Sequence, residues 1–280
     1  MLKILSFNAA LQDINIFGKS FYRPVDFIES RLKRLPPALV KQNADFIFLQ
    51  EVFSQGFQKL IYNALVKQYP YIVGMCKNKY GLRVGNELLT LSRYPIQSNS
   101  LIRFKHASRE ELLFTSKGFY HSSVIHPNLG EIQLINFHTT AGGKEHHPEH
   151  PAMEFIRQRQ IEQILDYIKG NTPVILVGDL NAGPQTSRRN YQQVLDAGFI
   201  DICDNPHDSL LSWDPENPLV KNGLENHLPA QRIDHIFMSE DLHRIHSGIR
   251  SNLVLNDSFI SGPDFSYPLS DHYGIQAELD

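Results

Sequence analysis

One short segment carries side chains that could bind a metal ion and orient a phosphate. Gly178-Asp179-Leu180-Asn181 follows directly after an apolar Val-Ile-Leu-Val run at 174–177. The run predicts a buried strand, and the Ala-Gly-Pro that follows at 182–184 predicts a sharp turn. Side chains two residues apart in an extended chain point to the same side, so Asp179 and Asn181 can face one point. Metal-assisted hydrolysis of a phosphodiester needs this arrangement, although Asp and Asn also form ordinary turns.

Further polar residues follow or flank short apolar runs in the same way. They are Asn8, Glu51, His138, Asp234 and the adjacent pair Asp271-His272. Each alone has an ordinary explanation as a turn former, a solvated side chain or a structural histidine. Together they supply the oxygen ligands that a hard divalent cation prefers and the imidazoles that transfer protons near neutral pH.

The elements that would position these residues are mostly strands. Apolar patterning predicts strands at 2–8, 45–50, 71–76, 86–92, 99–105, 117–126, 131–138, 173–178, 232–238, 246–255 and 272–279. Helical spacing predicts helices at 25–42, 54–68, 151–169 and 187–197, and we interpret 9–24 as a loop. Because each polar anchor stands at a strand end, two packed sheets with helices outside would bring the anchors together at one edge.

In this order, the anchor segments resemble the endonuclease/exonuclease/phosphatase superfamily. The resemblance runs from residue 4 to residue 277, which is nearly the whole chain. It implies an α/β fold, a four-layer α/β sandwich in which helices flank two packed, mostly antiparallel β sheets. We therefore expect one catalytic domain over residues 1–280.

The same resemblance implies a metal site. Mg²⁺ is the expected ion, with Mn²⁺ or Co²⁺ as substitutes. Glu51 is the expected direct ligand, with Asn8 and Asp271 assisting directly or through water. Carboxylate and amide oxygens suit a hard cation that keeps several waters.

The resemblance also implies roles around the reacting phosphate. His272 is the expected general base for the attacking water, and Asp234 would fix the tautomer of its ring. Asp179 and Asn181 would orient the nucleophile and the phosphate. His138 would donate to a nonbridging oxygen as negative charge develops there.

Within the superfamily, several details are similar to the neutral sphingomyelinase branch. Lys117, in Ser-Lys-Gly-Phe at 116–119, could place a charge near the phosphate, and a solvated loop lysine is the alternative. Trp213, the only tryptophan, could contact a choline group through a cation–π interaction, and a core anchor is the alternative. One departure is Thr140, which stands where many animal relatives have a second histidine.

The function that this resemblance favours is a sphingomyelinase-like phospholipase C, a Mg²⁺-dependent phosphodiesterase acting on a phosphocholine headgroup. A metal-dependent nuclease is one alternative, and a phosphoinositide or other phosphate-monoester phosphatase is another. An inactive binding module is a third. The net charge of −3 and the scattered basic residues argue mildly against nucleic acid as a partner.

Substrate in a membrane requires contact with a lipid surface. The 9–24 loop carries Ile16, Phe17, Phe21 and Tyr22, which could insert at the interface or pack under the sheet. No apolar stretch approaches 18 residues, so we expect no transmembrane helix. The polar start predicts no signal peptide and hence a cytoplasmic location, with export by another route left open. We expect a monomer, and the pairing of Cys76 with Cys203 stays open.

Overall fold

The fold is taken from a computed structural model, which describes residues 1–16, 19–74, 86–115, 117–142, 149–168, 172–204, 210–221, 227–246, 248–257, 260–262 and 265–280. The first eight strands are β1 (Leu2–Leu11), β2 (Ile14–Ile16), β3 (Lys19–Tyr22), β4 (Phe46–Val52), β5 (Tyr71–Val73), β6 (Leu89–Ser92), β7 (Ile96–Arg103) and β8 (Gly118–His126). The others are β9 (Gly130–His138), β10 (Val174–Asp179), β11 (Phe199–Asp201), β12 (Asp234–Ser239), β13 (Ile249–Val254), β14 (Ile260–Gly262), β15 (Phe265–Tyr267) and β16 (Gly274–Leu279). The helices are α1 (Ile28–Gln42), α2 (Gln55–Leu65), α3 (Arg109–Phe114), α4 (Pro151–Tyr167), α5 (Arg188–Asp196) and α6 (Glu240–Arg244).

Two six-stranded sheets form the centre of the fold. Their strand orders are β13-β16-β1-β4-β6-β5 and β11-β12-β10-β9-β8-β7. Strands β1 and β4 are parallel, as are β9 and β10, and the other neighbours are antiparallel. Helices α1 and α2 pack on the outer face of the first sheet, and α4 and α5 pack on that of the second. The predicted four-layer α/β sandwich is confirmed.

The space between the sheets changes from apolar to polar along the strands. On β9, Ile132 and Leu134 lie in the apolar core between the sheets, and the next residues on the same face are Asn136 and His138. The other central strands show the same change, since Ile175 and Val177 of β10 precede Asp179. One edge of the sandwich is therefore lined with buried polar side chains.

The interpretation of 9–24 as a loop is wrong in part. β1 continues past Asn8 to Leu11, and the hairpin β2–β3 follows it. From Asn8 to Leu11 the chain advances three residues while its β4 partners advance two, from Gln50 to Val52, so β1 carries a bulge. Ala10, with φ of 47°, lies within that bulge. A bulge lets a strand bend and continue, and apolar patterning does not reveal it.

Other expectations fall outside the described residues. They concern Phe17 itself, the side chains of Ile16, Phe21 and Tyr22, and residue Cys76, whereas Cys203 is buried. In the part of the chain that the structure describes, no helix is long and apolar enough to cross a membrane. Short elements that sequence patterning missed include α3, α6, β11 and the β14–β15 hairpin.

Candidate active site

The polar edge brings the predicted site residues together. In the ladder of the second sheet, Asp179 is the direct neighbour of His138 on β9 and of Asp234 on β12. Asn8 reaches this group from the opposite sheet, because its Nδ2 donates to Asp179 Oδ2 at 3.0 Å. Strand pairing within one sheet and packing of the other against it thus assemble the centre of the site.

His272 and Asp234 form a hydrogen-bonded pair. The Nδ1 of His272 lies 2.8 Å from Asp234 Oδ2, and an ionised carboxylate can only accept, so Nδ1 carries the proton. The Nε2 atom lies 4.0 Å from Asp179 Oδ2 and therefore faces the site. Burial lowers the pKa of His272, but the charge of Asp234 and its hydrogen bond outweigh burial and raise that pKa well above its usual range.

Asp179 is held by its neighbours in a fixed orientation. Its Oδ1 accepts from the backbone N–H of Asn181 at 2.8 Å, which is an Asx turn. Asn181 has φ of 49°, a left-handed conformation that Asn tolerates better than most residues. Its Nδ2 donates to Thr139 O at 3.2 Å, so the turn after β10 is tied to the chain after His138. Gly178 is required because a Cβ there would lie 1.9 Å from Phe137 O.

A second histidine–carboxylate pair was not predicted from the sequence. The Nδ1 of His138 lies 3.0 Å from Oε1 of Glu87, which is 1% exposed. Burial lowers the pKa of His138, but the charge of Glu87 opposes burial and the net shift is upward. The available signal was a glutamate at the start of an apolar strand pattern at 86–92, and such a residue is usually solvated.

Lys117 points into this second pair. Its Nζ lies 3.3 Å from His138 Nε2 and donates to Thr139 O at 3.0 Å. Glu111 Oε1 lies 3.2 Å from the same nitrogen, and the other oxygen of Glu111 accepts from the Thr140 hydroxyl. Burial lowers the pKa of Lys117, but the two glutamates Glu87 and Glu111 more than compensate and raise it. The lysine is thus buried and paired, and its contact with substrate stays a prediction.

Trp213 lies in a small apolar cluster beside the site. It is 4% exposed and packs with Val220, Leu228 and Ile233. Its backbone forms an isolated bridge with His272 and another with Gln231. This placement matches the core-anchor interpretation and supports the segment that carries His272, while contact of the ring with a headgroup stays a prediction.

The carboxylates at this edge are suited to a cation. Glu51 has φ of 60°, and its Oε1 lies 4.0 Å from His138 Nε2. Burial raises the pKa of Glu51 to about 7, and the charges of Asp271 and Glu87 add to this effect although His138 opposes it. Such crowding of buried negative charge is relieved by a bound cation, and oxygen donors suit Mg²⁺ or another hard ion. The residues fit a divalent metal.

The individual metal ligands remain predictions. Glu51, Asn8 and Asp271 would hold the ion, yet Asn8 Oδ1 here accepts from the backbone N–H of Ala10 at 3.0 Å. Among the described residues, ligand atoms of Asp179, Asp234 and His272 lie within 4.8 Å of one another. This second group contains the hydrogen-bonded pair His272–Asp234, whose predicted role is proton transfer. The predicted metal ligands therefore stay those that the resemblance implies.

The match to known families agrees with this geometry. Residues 5–272 match the model of the Endonuclease/Exonuclease/phosphatase family. The chain belongs to this family. Members of the family share the sandwich described above and hydrolyse phosphate esters, so the predicted superfamily and the prediction of an enzyme are confirmed.

Relatives within the family are enzymes that cleave phospholipids. The chain is 25% identical over 269 residues to a phospholipase C from Staphylococcus aureus, covering 84% of this chain and 76% of that protein. It is 23% identical to a sphingomyelinase C 2 from Leptospira interrogans, covering 98% of this chain and 45% of that protein. Both names agree with the sphingomyelinase branch of the family.

Solved structures show the same fold. The crystal structure of beta toxin from Staphylococcus aureus has a TM-score of 0.80 and 21% identity, with 99% of each chain covered. A mutant of beta toxin with bound magnesium ions has a TM-score of 0.77 and 20% identity, covering 99% of this chain and 98% of that one. At this level of identity the likeness shows that the fold is shared and nothing beyond the fold.

The second histidine pair leads to a prediction. We expect Glu87→Gln to lower kcat by about 10- to 100-fold, because the variant removes the charge that raises the pKa of His138 while glutamine keeps the size of the side chain. Hydrolysis of bis(4-nitrophenyl) phosphate in saturating Mg²⁺ measures this. Glu131→Gln is the control, since Glu131 lies on β9, the strand that ends at His138, and accepts from Ser123 Oγ at 2.6 Å. A kcat equal in both variants would assign Glu87 to the framework.

Proposed function

We propose that the protein is a Mg²⁺-dependent, sphingomyelinase-like phospholipase C that releases a phosphocholine headgroup from a membrane lipid. The observation that carries the proposal is the His272–Asp234 pair, whose free Nε2 faces Asp179 and lies at the same edge as His138. The names of the relatives support a lipid phosphodiester as the substrate.

The side chains divide the reaction between attack and charge stabilisation. His272 takes a proton from the attacking water at Nε2, and Asp234 stabilises the imidazolium that results. The water oxygen bonds to phosphorus as the bond from phosphorus to the lipid oxygen breaks, and the proton held by the imidazolium is returned to that lipid oxygen. Asp179 Oδ2, which lies 3.6 Å from His138 Nε2 and 4.0 Å from His272 Nε2, orients the water between the two rings. A bound divalent cation supplies Lewis-acid stabilisation of the phosphoryl oxygens.

The side of the site that contains His138 and Lys117 binds the phosphate. His138 and Lys117 lie 3.3 Å apart and can both donate to a nonbridging oxygen. Glu87 and Glu111 hold these two donors, and the bond from Asn181 to Thr139 O ties the Asp179 turn to the segment that follows His138. The donors are therefore oriented before the substrate binds, which reduces the reorganisation needed in the transition state.

The experiment that tests the proposal compares two substrates. Phosphocholine release from sphingomyelin liposomes in Mg²⁺ is measured beside nicking of supercoiled plasmid, with His272→Ala as the control for each. We expect phosphocholine release that the variant loses, with intact plasmid. Nicking without lipid hydrolysis would move the protein to the nucleases, whereas release of inorganic phosphate from a phosphoinositide would favour a phosphatase.

A further inference from the structure

Two carboxamides face each other between the sheets, directly beneath the site. Gln50 Nε2 donates to Asn136 Oδ1 at 3.0 Å, and the two side chains come from β4 and β9, on opposite sheets. Their exposed fractions are 0% and 1%. Gln50 immediately precedes Glu51, and Asn136 lies two residues before His138. This pair therefore joins the strand that carries one site residue to the strand that carries the other.

An apolar pair would suit this position better if only packing mattered. Phe48 precedes Gln50 on the same face of β4, and Leu134 precedes Asn136 on β9, both in the apolar core between the sheets. A buried amide is unfavourable by about 1–3 kcal/mol unless its hydrogen bonds are made. Two amides placed in such a core need a reason beyond filling space.

The bonds of Asn136 indicate what that reason is. Its Nδ2 lies 3.3 Å from Leu49 O, 3.3 Å from Leu89 O and 3.1 Å from Thr90 Oγ1. Leu49 lies two residues before Glu51, and Leu89 lies two residues after Glu87. The Asn136 side chain thus contacts the strand that contains Glu51 and the strand that begins two residues after Glu87, and it stands on the strand that ends at His138.

We propose that Asn136, supported by Gln50, is a positioning residue that fixes His138 relative to Glu51 and Glu87. The inference rests on the proposed function, because the chemistry of those three residues is what the positioning serves. The alternation of β9 places Asn136 and His138 on the same face, so a shift of β9 relative to β4 moves the imidazole by the same amount. A misplacement of 1 Å at a catalytic group lowers the rate by about 100-fold.

The test uses two variants that fill the same space without hydrogen bonds. Asn136→Leu removes the bond to Gln50 and all three contacts of Asn136 Nδ2, and Gln50→Met removes only the bond between the carboxamides. We expect kcat on bis(4-nitrophenyl) phosphate to fall about 10- to 100-fold in Asn136→Leu and less in Gln50→Met, with KM within about threefold. Because Glu51 also shifts, calorimetry should show weaker Mg²⁺ binding by Asn136→Leu. In a double variant that carries Gln50→Met and Asn136→Leu, the increase in activation free energy should be smaller than the sum of the increases in the two single variants.

A control separates positioning from general loss of stability. Tyr69→Phe removes one buried hydrogen bond, from the Tyr69 hydroxyl to Ala44 O at 3.0 Å, on the outer side of the first sheet. We expect a lower melting temperature there with unchanged kcat and Mg²⁺ affinity. A second readout is the chemical shift of the His138 ring nitrogens, which depends on the Glu87 carboxylate 3.0 Å from Nδ1 and which Asn136→Leu should move.

The outcomes decide between the alternatives. Wild-type kcat, Mg²⁺ affinity and His138 resonance in Gln50→Met and Asn136→Leu, with only lower melting temperatures, would overturn the inference. If Asn136→Leu does not fold, the same measurements on Gln50→Met decide. Failure of the wild type to release phosphocholine would overturn the proposed function alone, since Mg²⁺ binding and the generic diester report on positioning independently of the lipid.

Discussion

His272→Ala is expected to lower kcat by about 100- to 10,000-fold, which is the range that a positioned general base contributes. The Nε2 of His272 faces Asp179 across 4.0 Å, and its other nitrogen is held by Asp234. Alanine removes the proton acceptor and leaves the carboxylate of Asp234 without its partner. The fold should persist, because Trp213, whose backbone pairs with that of His272, also pairs with Gln231.

Dependence on pH gives a second readout of the same pair. His272 has a pKa raised above its usual value, chiefly because the charge of Asp234 overcomes burial, so turnover should increase with pH as the ring loses its proton. Asp234→Asn removes that charge and should move the rising limb of the pH profile to lower pH. The same variant should lower kcat, since an amide no longer stabilises the imidazolium formed during attack.

The measurements are single-turnover rates between pH 5 and 9 in saturating Mg²⁺. His121→Ala is a matched control, because His121 is a half-buried histidine on β8 of the second sheet. Its Nε2 lies 3.0 Å from Gln133 Oε1, and in the described part of the chain it contacts no site residue. A His272→Ala rate close to that of His121→Ala would remove His272 as the base. A rising limb that stays in place in Asp234→Asn would show that another group governs the pH dependence.

The parts of the fold that could be predicted depend on local periodicity. On β9 the alternation from Ile132 to His138 shows both which face is buried and where it becomes polar, and both facts are visible in four residues of one strand. Because the anchors follow such strands, their meeting at one edge could be inferred before any partner was known. Strand boundaries are less accurate, since a strand is predicted over 272–279 whereas β16 begins at Gly274 and leaves His272 in the preceding segment.

The parts that escaped prediction depend on distant partners. Glu87 looks solvated in sequence and becomes a site residue only because β6 lies two strands from β1, opposite the strand carrying His138. Glu111 lies on a six-residue helix too short for a periodic pattern, yet it contacts Lys117 and Thr140. Thr140 stands where many animal relatives have a histidine, and its hydroxyl donates a hydrogen bond to Glu111. Such contacts have no signature in the residues around them.

Glu51→Gln should make the metal-free protein more stable at alkaline pH. In the presence of Mg²⁺, the same variant should lower the rate of hydrolysis by about 100-fold or more. The buried carboxylate has its pKa raised from 4.5 to about 7, first by burial and then by Asp271 and Glu87 against the opposing His138. A group whose pKa is raised in the folded state contributes stability that is complete below about pH 4.5 and is lost as pH rises through about 7. Ionised Glu51 therefore destabilises the metal-free protein above pH 7.

Glutamine keeps the shape of the side chain and cannot ionise. In EDTA at pH 8 the variant should be more stable than the wild type by about 1–3 kcal/mol, and at pH 5 the difference should fall below about 1 kcal/mol. Adding Mg²⁺ should reverse the order, because a ligand that binds only the folded state stabilises it in proportion to its affinity. The wild type should then gain stability that the variant lacks.

Thermal unfolding measures the stability of each variant under four conditions, in EDTA and in Mg²⁺ at pH 5 and at pH 8. Glu240→Gln is the control, since Glu240 is an exposed residue of α6 that pairs with Arg244. Its melting temperature should follow that of the wild type under every condition. An equal response of Glu51→Gln and wild type to Mg²⁺ would place the ion elsewhere. A variant less stable than wild type in EDTA at pH 8 would mean that the carboxylate of Glu51 is already compensated by its neighbours, so the crowding of charge that argues for a metal would be absent.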